Sequence, residues 1–576
     1  MNQPLASVTP PDRSRLLNTL DNTHSWDVIV IGGGATGLGT AVDAAARGYR
    51  TLLIEGADFA KGTSSKATKL VHGGVRYLAQ GNVSLVREAL HERGLLNRNA
   101  PHLVWPLGFV VPAYTMLDQP FYGIGLKMYD MLAGKLNLSP SRWLSRRETL
   151  ANAPTLAETV SGRSLKGGVL YYDGQFDDAR LAMSLMRTLF DLGGTAVNYV
   201  RATGLTTTHG KVDGVTAQDV IGGATFTLRA RCVVNATGVW VDAVRRMEDK
   251  NAQTMVAPSQ GVHLTLPQDF LPGKRAVLIP KTDDGRVLFV VPWNGHTIVG
   301  TTDTPRQDLP LDPDAGAQDV DFILSTAARY LSRKPTRDDV TSVWAGLRPL
   351  VKATGDAATK KLSREHTILV SKAGLVTVTG GKWTTYRRMA QDVVDTAIQH
   401  QLLTQASCRT ESLPLHGSQW SCAVAGTRRH AGQLLRQRSG DAAGVARRAA
   451  HAGQGQRPDR SARAFRGALR AGAQRRGRAG APQSRAVPGC RGRDAGRAGS
   501  GAHPGRGIGP RRGLAAAHAA GPGHRCGDLS PEVVRYGSPL RESATARAGG
   551  FPRSTIRTRA AGRDRTSIPL PGSGCP

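Results

Sequence analysis

The strongest constraint on the fold is a strand, a glycine-rich turn, a helix and a second strand that follow one another from Asp27 to Glu55. Residues 27–31 and 51–54 are short, β-branched and almost wholly apolar, as in strands of a parallel sheet that is covered on both faces. Between them, Ala-rich residues 38–47 predict a helix that ends at Gly48. This βαβ unit predicts an α/β fold with a Rossmann-like parallel sheet.

The turn reads Gly32-x-Gly34-x-x-Gly37, the glycine pattern of dinucleotide-binding sites. Gly32 permits the tight turn, Gly34 lets the backbone approach a pyrophosphate, and Gly37 lets the helix pack on the sheet. The pyrophosphate would lie at the helix N-terminus, where N–H groups and the helix dipole favour anions. Glu55 is placed to accept hydrogen bonds from a ribose diol and would repel the 2′-phosphate of NADP. The unit alone leaves NAD and FAD open.

The positive charge of the chain is concentrated after residue 420. The 576 residues carry +32 in total, but residues 421–576 contain 30 Arg, no Lys and 7 acidic residues, and the first 420 residues carry only +9. This Arg/Gly/Ala-rich segment cannot bury enough apolar surface to offset the entropy of ordering, so we predict a disordered basic tail. It is either a nucleic-acid-binding arm or an out-of-frame translation of a GC-rich gene. The loss of every Lys, the abrupt onset and the absence of repeats favour the second interpretation.

Cysteine usage and hydropathy narrow the class of protein. Four of the six Cys lie in the basic tail, and Cys232 and Cys408 have no metal-type spacing, so we expect no metal site and a reducing compartment. The first 25 residues are polar and lack the apolar segment of a signal peptide, and no run of 18 apolar residues predicts a transmembrane helix. A cytoplasmic location is therefore expected.

Periodicity predicts further elements. Helical spacing is clear at residues 83–97, 177–192, 320–331 and 389–403. Strands are predicted at residues 210–217, 225–234, 287–292, 297–301, 369–370 and 375–379, with the pair 287–292 and 297–301 in a separate sheet. Residues 101–175 give no clear pattern. Within them, residues 108–132 have few charges and could lie on lipid or in the core through Phe109, Phe121, Tyr122, Met128 and Met131.

Four further segments carry recognisable motifs. They are His72-Gly-Gly-Val-Arg-Tyr within the Ser/Thr-rich residues 62–78, Val-Val-Asn-Ala-Thr-Gly-Val-Trp at 233–240, Gly-Leu-Arg-Pro-Leu at 346–350 and Gly-Gly-Lys-Trp-Thr-Thr-Tyr-Arg at 380–387. In these segments the chain resembles the FAD-dependent, quinone-linked glycerol-3-phosphate dehydrogenases of the D-amino-acid-oxidase-like flavoprotein group. The resemblance covers about residues 25–415, and the motifs occur in the family's order.

The resemblance implies oxidation of sn-glycerol 3-phosphate to dihydroxyacetone phosphate, with FAD as cofactor and a membrane quinone as electron acceptor. The enzyme would contact the cytoplasmic membrane peripherally and could be a homodimer. A Rossmann-like FAD domain would be interleaved with a mixed-sheet α+β substrate domain inside residues 26–415. The FAD parts would be about 26–100, 176–258 and 340–403, and the substrate parts about 101–175 and 259–339. Residues 1–25 would form an N-terminal extension, and residues 416–576 would replace the family's helical C-terminal domain.

The family's substrate site implies roles for five residues. Arg76, Arg348 and Lys382 would hold the phosphate, with Tyr77 beside them. Arg suits bidentate phosphate binding, whereas Lys382 would act as a compact point charge or stabilise a developing alkoxide. His72 would be the base, because imidazole titrates near neutral pH, or else a hydrogen-bonding partner of flavin or phosphate.

The resemblance also implies a second histidine and a set of cofactor contacts. His263 is a further catalytic candidate, in a segment where the family often has Lys in place of Gln260. Residues 63–65 would contact the pyrophosphate or the isoalloxazine, residues 236–238 the adenine side, and residues 381–385 would close over the flavin ring. The predicted cofactor residues are Gly32, Gly34, Gly37, Glu55, Thr63, Ser64, Ser65, Ala236, Thr237, Gly238, Gly381, Lys382 and Thr384.

Three alternative functions remain. A glycerol-3-phosphate oxidase would keep the fold and pass electrons to O₂. An amino-acid oxidase would need a carboxylate clamp and an apolar pocket, and the cations near glycines disfavour it. Nucleic-acid binding through the basic tail would show a steep salt dependence.

Overall fold

The structure, a computed structural model, describes residues 12–21, 25–78, 81–280, 282, 285–352, 366–418 and 533–534. Its contacts divide the chain into residues 1–535 and residues 536–576. The second unit lies outside the described residues, as does almost all of the basic tail, so the predicted disorder of the tail stays a prediction.

Ten α-helices occur in the described residues. They are α1 (Arg13–Thr19), α2 (Ala35–Ala46), α3 (Val75–Leu78), α4 (Val83–Asn99), α5 (Asp118–Ala133), α6 (Arg146–Asn152), α7 (Asp178–Asp191), α8 (Val241–Glu248), α9 (Ala317–Tyr330) and α10 (Tyr386–Gln399).

The strands of the same residues are β1 (Ser25–Ile31), β2 (Thr51–Ile54), β3 (Leu70–Val71), β4 (Val104–Ala113), β5 (Arg142–Ser145), β6 (Thr159–Val160), β7 (Arg163–Ser164), β8 (Gly167–Phe176), β9 (Thr195–Val197), β10 (Val200–Thr208), β11 (Lys211–Asp219), β12 (Thr225–Asn235), β13 (Val256–Pro267), β14 (Ala276–Ile279), β15 (Leu288–Trp293), β16 (His296–Gly300), β17 (Thr304–Pro305), β18 (Ser342–Val351), β19 (His366–Val370), β20 (Val376–Gly380) and β21 (Val533–Val534).

The first sheet contains the predicted βαβ unit. Its main order is β21-β19-β20-β12-β1-β2-β9, and β1 pairs in parallel with both β2 and β12. The hairpin of β10 and β11 extends it through β12. Because β1 is central and covered on both faces, its Val28–Ile31 run is buried. The parallel Rossmann-like sheet that the sequence predicts is confirmed.

The second sheet is mixed. Its main order is β17-β13-β16-β15-β14-β4-β8-β3, with β18 pairing β13 and β5 pairing β8. The predicted pair of strands at 287–301 forms the antiparallel β15 and β16 in this sheet. Two strands differ from the predicted domain boundaries, because β3 and β18 were placed in the FAD parts and instead pair within the second sheet. The sheet to which β3 and β18 belong is set by pairing with strands that are distant in the sequence, and local periodicity does not report such pairing.

The predicted amphipathic helices are found as α4, α7, α9 and α10, with ends shifted by a few residues. The predicted extension at 1–25 includes α1, which is docked rather than free. Arg13 donates to the backbone oxygen of Asn198 at 2.6 Å and to Asp219 at 2.6 Å. At the other end of the domain, Leu415 N donates to the Asn99 carbonyl at 2.9 Å. Residues therefore remain packed against the domain almost to residue 420, near which the sequence becomes rich in Arg, Gly and Ala.

The apolar residues at 108–132, for which the sequence allowed either a lipid-facing or a core position, are in part buried and in part exposed. Phe109 on β4 is fully buried, whereas Phe121, Ile124 and Met131 on α5 are 65, 69 and 79% exposed. Leu117 and Met128 continue the same line at helical spacing and are also exposed. We call these five side chains the α5 stripe. The inner face of α5 carries buried Leu126 and Tyr129, so the helix is apolar on two sides.

Candidate active site

A cleft of about 700 Å³ is lined by residues of both sheets. Most of the predicted site residues line it, namely Gly32, Gly34, Glu55, Thr63, Ser64, His72, Tyr77, Ala236, Thr237, Gly238, His263, Arg348, Gly381, Lys382 and Thr384. Ser65 and Gly37 do not line it, and the side chain of Arg76 lies outside the described residues. The fold thus brings together residues that are more than 300 positions apart in the sequence.

The glycine turn has the geometry that the motif predicts. Gly32 has φ of +111°, and a Cβ there would stand 2.7 Å from the Ala236 carbonyl oxygen. A Cβ on Gly37 would stand 1.8 Å from the Gly32 oxygen, so only glycine lets α2 pack this closely. The first turn of α2 therefore opens onto the cleft, beside Ala236 at the end of the neighbouring strand β12.

Glu55 and Ser64 are fixed by the backbone around this turn. The two Glu55 oxygens accept from Gly33 N at 2.6 Å and Ala57 N at 2.7 Å. Burial raises the pKa of Glu55, and these N–H donors oppose the rise. The Ser64 hydroxyl accepts from Ala35 N at 2.9 Å, at the start of α2. Both side chains are oriented before any ligand binds.

His72 and Lys382 both line the cleft away from this turn. The Thr384 hydroxyl accepts from His72 N at 3.2 Å and lies 3.3 Å from the His72 carbonyl oxygen. Lys382 Nζ stands 4.1 Å from the centre of the Tyr77 ring. The histidine and the following residues are therefore held against the Gly-Gly-Lys segment that the sequence predicted to close over a flavin.

Arg348 projects from β18, opposite Ser259 on β13. Its Nη1 donates to the Thr302 carbonyl at 2.9 Å and lies 3.2 Å from Asp303, and its Nη2 donates to Thr301 Oγ1 at 2.9 Å. These partners fix the plane of the guanidinium at the wall of the cleft. A phosphate bound there would share the Arg348 charge with the Asp303 carboxylate.

His263 lies on β13 close to this arginine. It is 3% exposed, its ring stacks on Trp344 with centroids 5.1 Å apart, and its Nε2 lies 2.8 Å from Thr68 Oγ1. Burial, followed by the charges of Arg348 and Lys69, lowers the pKa of His263 to about 3. A neutral imidazole of such low basicity is a better hydrogen-bonding group than proton acceptor at neutral pH.

The low pKa of His263 makes stability depend on pH. Below about pH 6.5 the unfolded chain binds a proton at this residue and the folded chain does not, so stability is lost as pH falls toward 3. We expect the free energy of unfolding to fall by about 2 kcal/mol more in the wild type than in His263→Gln between pH 7 and pH 5. Urea unfolding at the two pH values measures this difference. Identical pH dependence in the two proteins would contradict it.

Several cleft residues were not predicted from the sequence. Asp173 lies in the stretch at 101–175 that gave no pattern, Arg286 directly precedes the predicted strand 287–292, and Phe289 lies within that strand without any motif. Trp240 belongs to a quoted motif but received no role. Pairing across the second sheet places Asp173 on β8 and Phe289 on β15, so no local signal could have found these two.

Neither a metal-binding cluster nor a helix long and apolar enough to span a membrane occurs in the described residues. No group of three or more His, Cys, Asp or Glu side chains could hold a metal ion there. None of the helices in those ranges has the length and hydropathy needed to cross a membrane.

The cleft fits the cofactor that the motifs imply. A helix N-terminus with glycines on its approach suits a pyrophosphate, and the oriented Glu55 carboxylate suits a ribose. The cleft continues from this turn to His72 and Lys382, so a ligand with a dinucleotide end and a reactive ring end could occupy it. Its volume is within the range of ligand sites.

The chain belongs to the FAD dependent oxidoreductase family, whose pattern it matches over residues 27–387. Among curated proteins, it is 43% identical over 428 residues to the mitochondrial glycerol-3-phosphate dehydrogenases of Mus musculus and Homo sapiens. That match covers 72% of this chain and 58% of each relative. The chain therefore spans less than two thirds of the length of these relatives.

Solved structures agree with this assignment. The glycerol-3-phosphate dehydrogenase from Bacillus halodurans, complexed with FAD, is 33% identical with a TM-score of 0.59, and the match covers 73% of this chain and 75% of that one. The L-alpha-glycerophosphate oxidase from Mycoplasma pneumoniae has a TM-score of 0.53 over 67% of this chain and 97% of that one. At 16% identity, this second structure shows a shared fold alone.

Proposed function

We propose that the protein oxidises sn-glycerol 3-phosphate to dihydroxyacetone phosphate with FAD as its cofactor. The observation that carries the proposal is the meeting of His72, Lys382 and Arg348 in one cleft with the dinucleotide-type turn. A secondary alcohol with a phosphate needs a proton acceptor and cations, and the cleft offers both. The similarity to glycerol-3-phosphate dehydrogenases in two comparisons supports the same substrate.

Each residue then has a defined task. Lys382 and Arg348 bind the substrate phosphate and set its position, and Lys382 also stabilises negative charge that develops on the substrate oxygen. His72 accepts the hydroxyl proton at its ring nitrogen as the alcohol becomes a ketone. Neutral His263 adds no further charge beside the Arg348–Asp303 pair. FAD, when bound, supplies the acceptor for the hydride that leaves the same carbon.

The experiment is anaerobic addition of sn-glycerol 3-phosphate to the purified full chain, followed by its visible spectrum. Bleaching of oxidised-flavin bands by this substrate, far faster than by glycerol or sn-glycerol 1-phosphate, is the expected result. Flavin bands that persist would overturn the substrate assignment while leaving the cofactor in place. A protein without flavin bands after reconstitution with FAD would overturn the cofactor assignment as well.

We further propose that electrons pass to a membrane quinone rather than to O₂, and that the protein contacts the cytoplasmic membrane peripherally. The exposed α5 stripe supports this, because five apolar side chains on one helix face are unusual on a surface that meets only water. Lys127 on this helix and Lys135 just after its end would favour anionic headgroups. Reduction of a short-chain quinone without peroxide is expected, and peroxide as the main product would favour an oxidase.

The membrane contact predicts a specific loss. The variant Phe121→Asp/Met131→Asp should reduce co-sedimentation with vesicles of phosphatidylglycerol and phosphatidylethanolamine by at least about tenfold, because each apolar side chain is worth about 1.5–3 kcal/mol when buried. Substrate oxidation with a soluble dye should not change. The control is Ile221→Asp, which removes an exposed apolar side chain outside the stripe. Equal binding of the variant and the wild type would contradict the contact.

A further inference from the structure

A buried polar cluster lies directly behind the turn that carries His72. It consists of Asp173 on β8, Tyr129 on the inner face of α5 and Arg93 on α4. The Tyr129 hydroxyl lies 2.8 and 2.9 Å from the two Asp173 oxygens, and Arg93 Nη1 donates to Asp173 at 2.8 Å and to the Tyr172 carbonyl at 3.1 Å. Arg93 and Asp173 are 0 and 1% exposed. The proposed reaction assigns this cluster no task.

The cluster reaches the active-site turn through two hydrogen bonds from one backbone nitrogen. Gly73 N donates to the Tyr129 hydroxyl at 2.8 Å and, at the longer distance of 3.4 Å, to Asp173 Oδ1. A Cβ on residue 73 would stand 2.6 Å from the Tyr129 oxygen, so glycine at this position is what lets the hydroxyl reach the backbone. The turn is thus held on one side by Tyr129 of α5 and on the other by Thr384.

The charges of the cluster make this support rigid. Burial raises the pKa of Asp173, and the Arg93 guanidinium opposes the rise. A buried carboxylate that pairs with a buried guanidinium and a hydroxyl is costly to separate, so its members keep one arrangement. The Tyr129 ring also lies edge-on to Tyr171, with centroids 6.1 Å apart, which fixes the direction of its hydroxyl.

We propose that Asp173, acting through the Tyr129 hydroxyl, is a positioning residue that holds the His72–Gly74 turn in register with the substrate. The inference rests on the proposed function, because it requires His72 to act on a bound alcohol. A displacement of about 1 Å in such a group lowers rates by up to about 10²-fold, so the cluster would act on kcat more than on substrate binding.

The test is Tyr129→Phe, which removes one oxygen and leaves the ring in its packing. We expect unchanged FAD content, a change in KM of less than about threefold, and a fall in kcat of roughly 10- to 100-fold. Asp173→Asn should act in the same direction. The matched control is Tyr114→Phe, which also removes a buried hydroxyl. That hydroxyl is not part of this turn, and it donates to the Ala157 carbonyl at a distance of 2.8 Å. It should leave kcat unchanged.

Two readouts separate positioning from a merely structural role. In a His72→Gln background, Tyr129→Phe should have almost no further effect on kcat, because the turn no longer carries the base. Hydrogen exchange of the peptide that contains residues 70–76 should be faster in Tyr129→Phe than in the wild type, since Gly73 N loses the nearer of its two acceptors and keeps only Asp173 at 3.4 Å. A full further loss of kcat in the double variant, or unchanged exchange, would overturn the proposal.

Failure of the proposed function would look different. If the wild-type protein does not oxidise glycerol 3-phosphate, that assignment fails and the positioning role falls with it, whereas the exchange experiment still reports whether Tyr129 holds the turn. If the wild type is active and Tyr129→Phe shows faster exchange with normal kcat, the proposed function stands and the positioning role is wrong.

Discussion

Replacing His72 with Gln should lower kcat for glycerol 3-phosphate by about 10²- to 10⁴-fold, because the variant keeps a polar side chain but has no proton acceptor. Substrate binding should change little, since the proposed phosphate contacts belong to Arg348 and Lys382. Stopped-flow anaerobic flavin bleaching at several substrate concentrations measures both effects.

His296→Gln is the matched control for this experiment, because it makes the same change at an exposed histidine outside the cleft. It should retain the activity of the wild type. If His72→Gln keeps more than about a tenth of the wild-type kcat, His72 is not the base and its role is hydrogen bonding to flavin or phosphate.

Replacing Arg348 with Met should lower kcat/KM for glycerol 3-phosphate by roughly 10²- to 10³-fold, mainly through KM, because a desolvated charge that pairs with the phosphate is lost. Oxidation of unphosphorylated glycerol, however slow, should not fall with it. Arg348→Lys should recover only part of the loss, since Lys keeps the charge but lacks the planar fork that Thr301 and Thr302 orient.

Steady-state kinetics on the two substrates is the measurement, with Arg337→Met as the control. Arg337 pairs with Asp321 on the surface and does not line the cleft. An equal loss on both substrates would mean that Arg348 supports the fold of the cleft through Asp303 rather than binding phosphate.

The local parts of this architecture could be predicted from the sequence, and the long-range parts could not. The turn at Gly32 is specified by residues that are adjacent in the chain, and its positive φ and close packing follow from the glycines themselves. The amphipathic α7 likewise follows from its periodicity. By contrast, β18 pairs with β13 about 85 residues earlier, and no local pattern indicates that partner.

The residues of the candidate site likewise fall into those that local motifs predict and those that only the fold brings together. Residues within motifs, such as His72 and Lys382, were found because Gly-rich flanks mark a close approach of the backbone to a ligand. Asp173 and Tyr129 were missed because each is an ordinary residue in its own element, and only the fold brings them under the turn. Arg348 was predicted, but its ion pair with Asp303 was not, since that contact joins β18 to the loop between β16 and β17.

The pairing of β1 with β12 has a consequence for synthesis of the chain. Strand β1 is synthesised first, but the pairing partner of one of its edges, residues 229–235, is synthesised about 200 positions later. At about 5–20 residues per second, a ribosome takes roughly 10–40 s to supply them. Strand β12 in turn waits for β20 near residue 376. Nascent chains therefore expose an apolar strand edge for most of translation, which makes them substrates for chaperones and sensitive to any pause before β12 emerges.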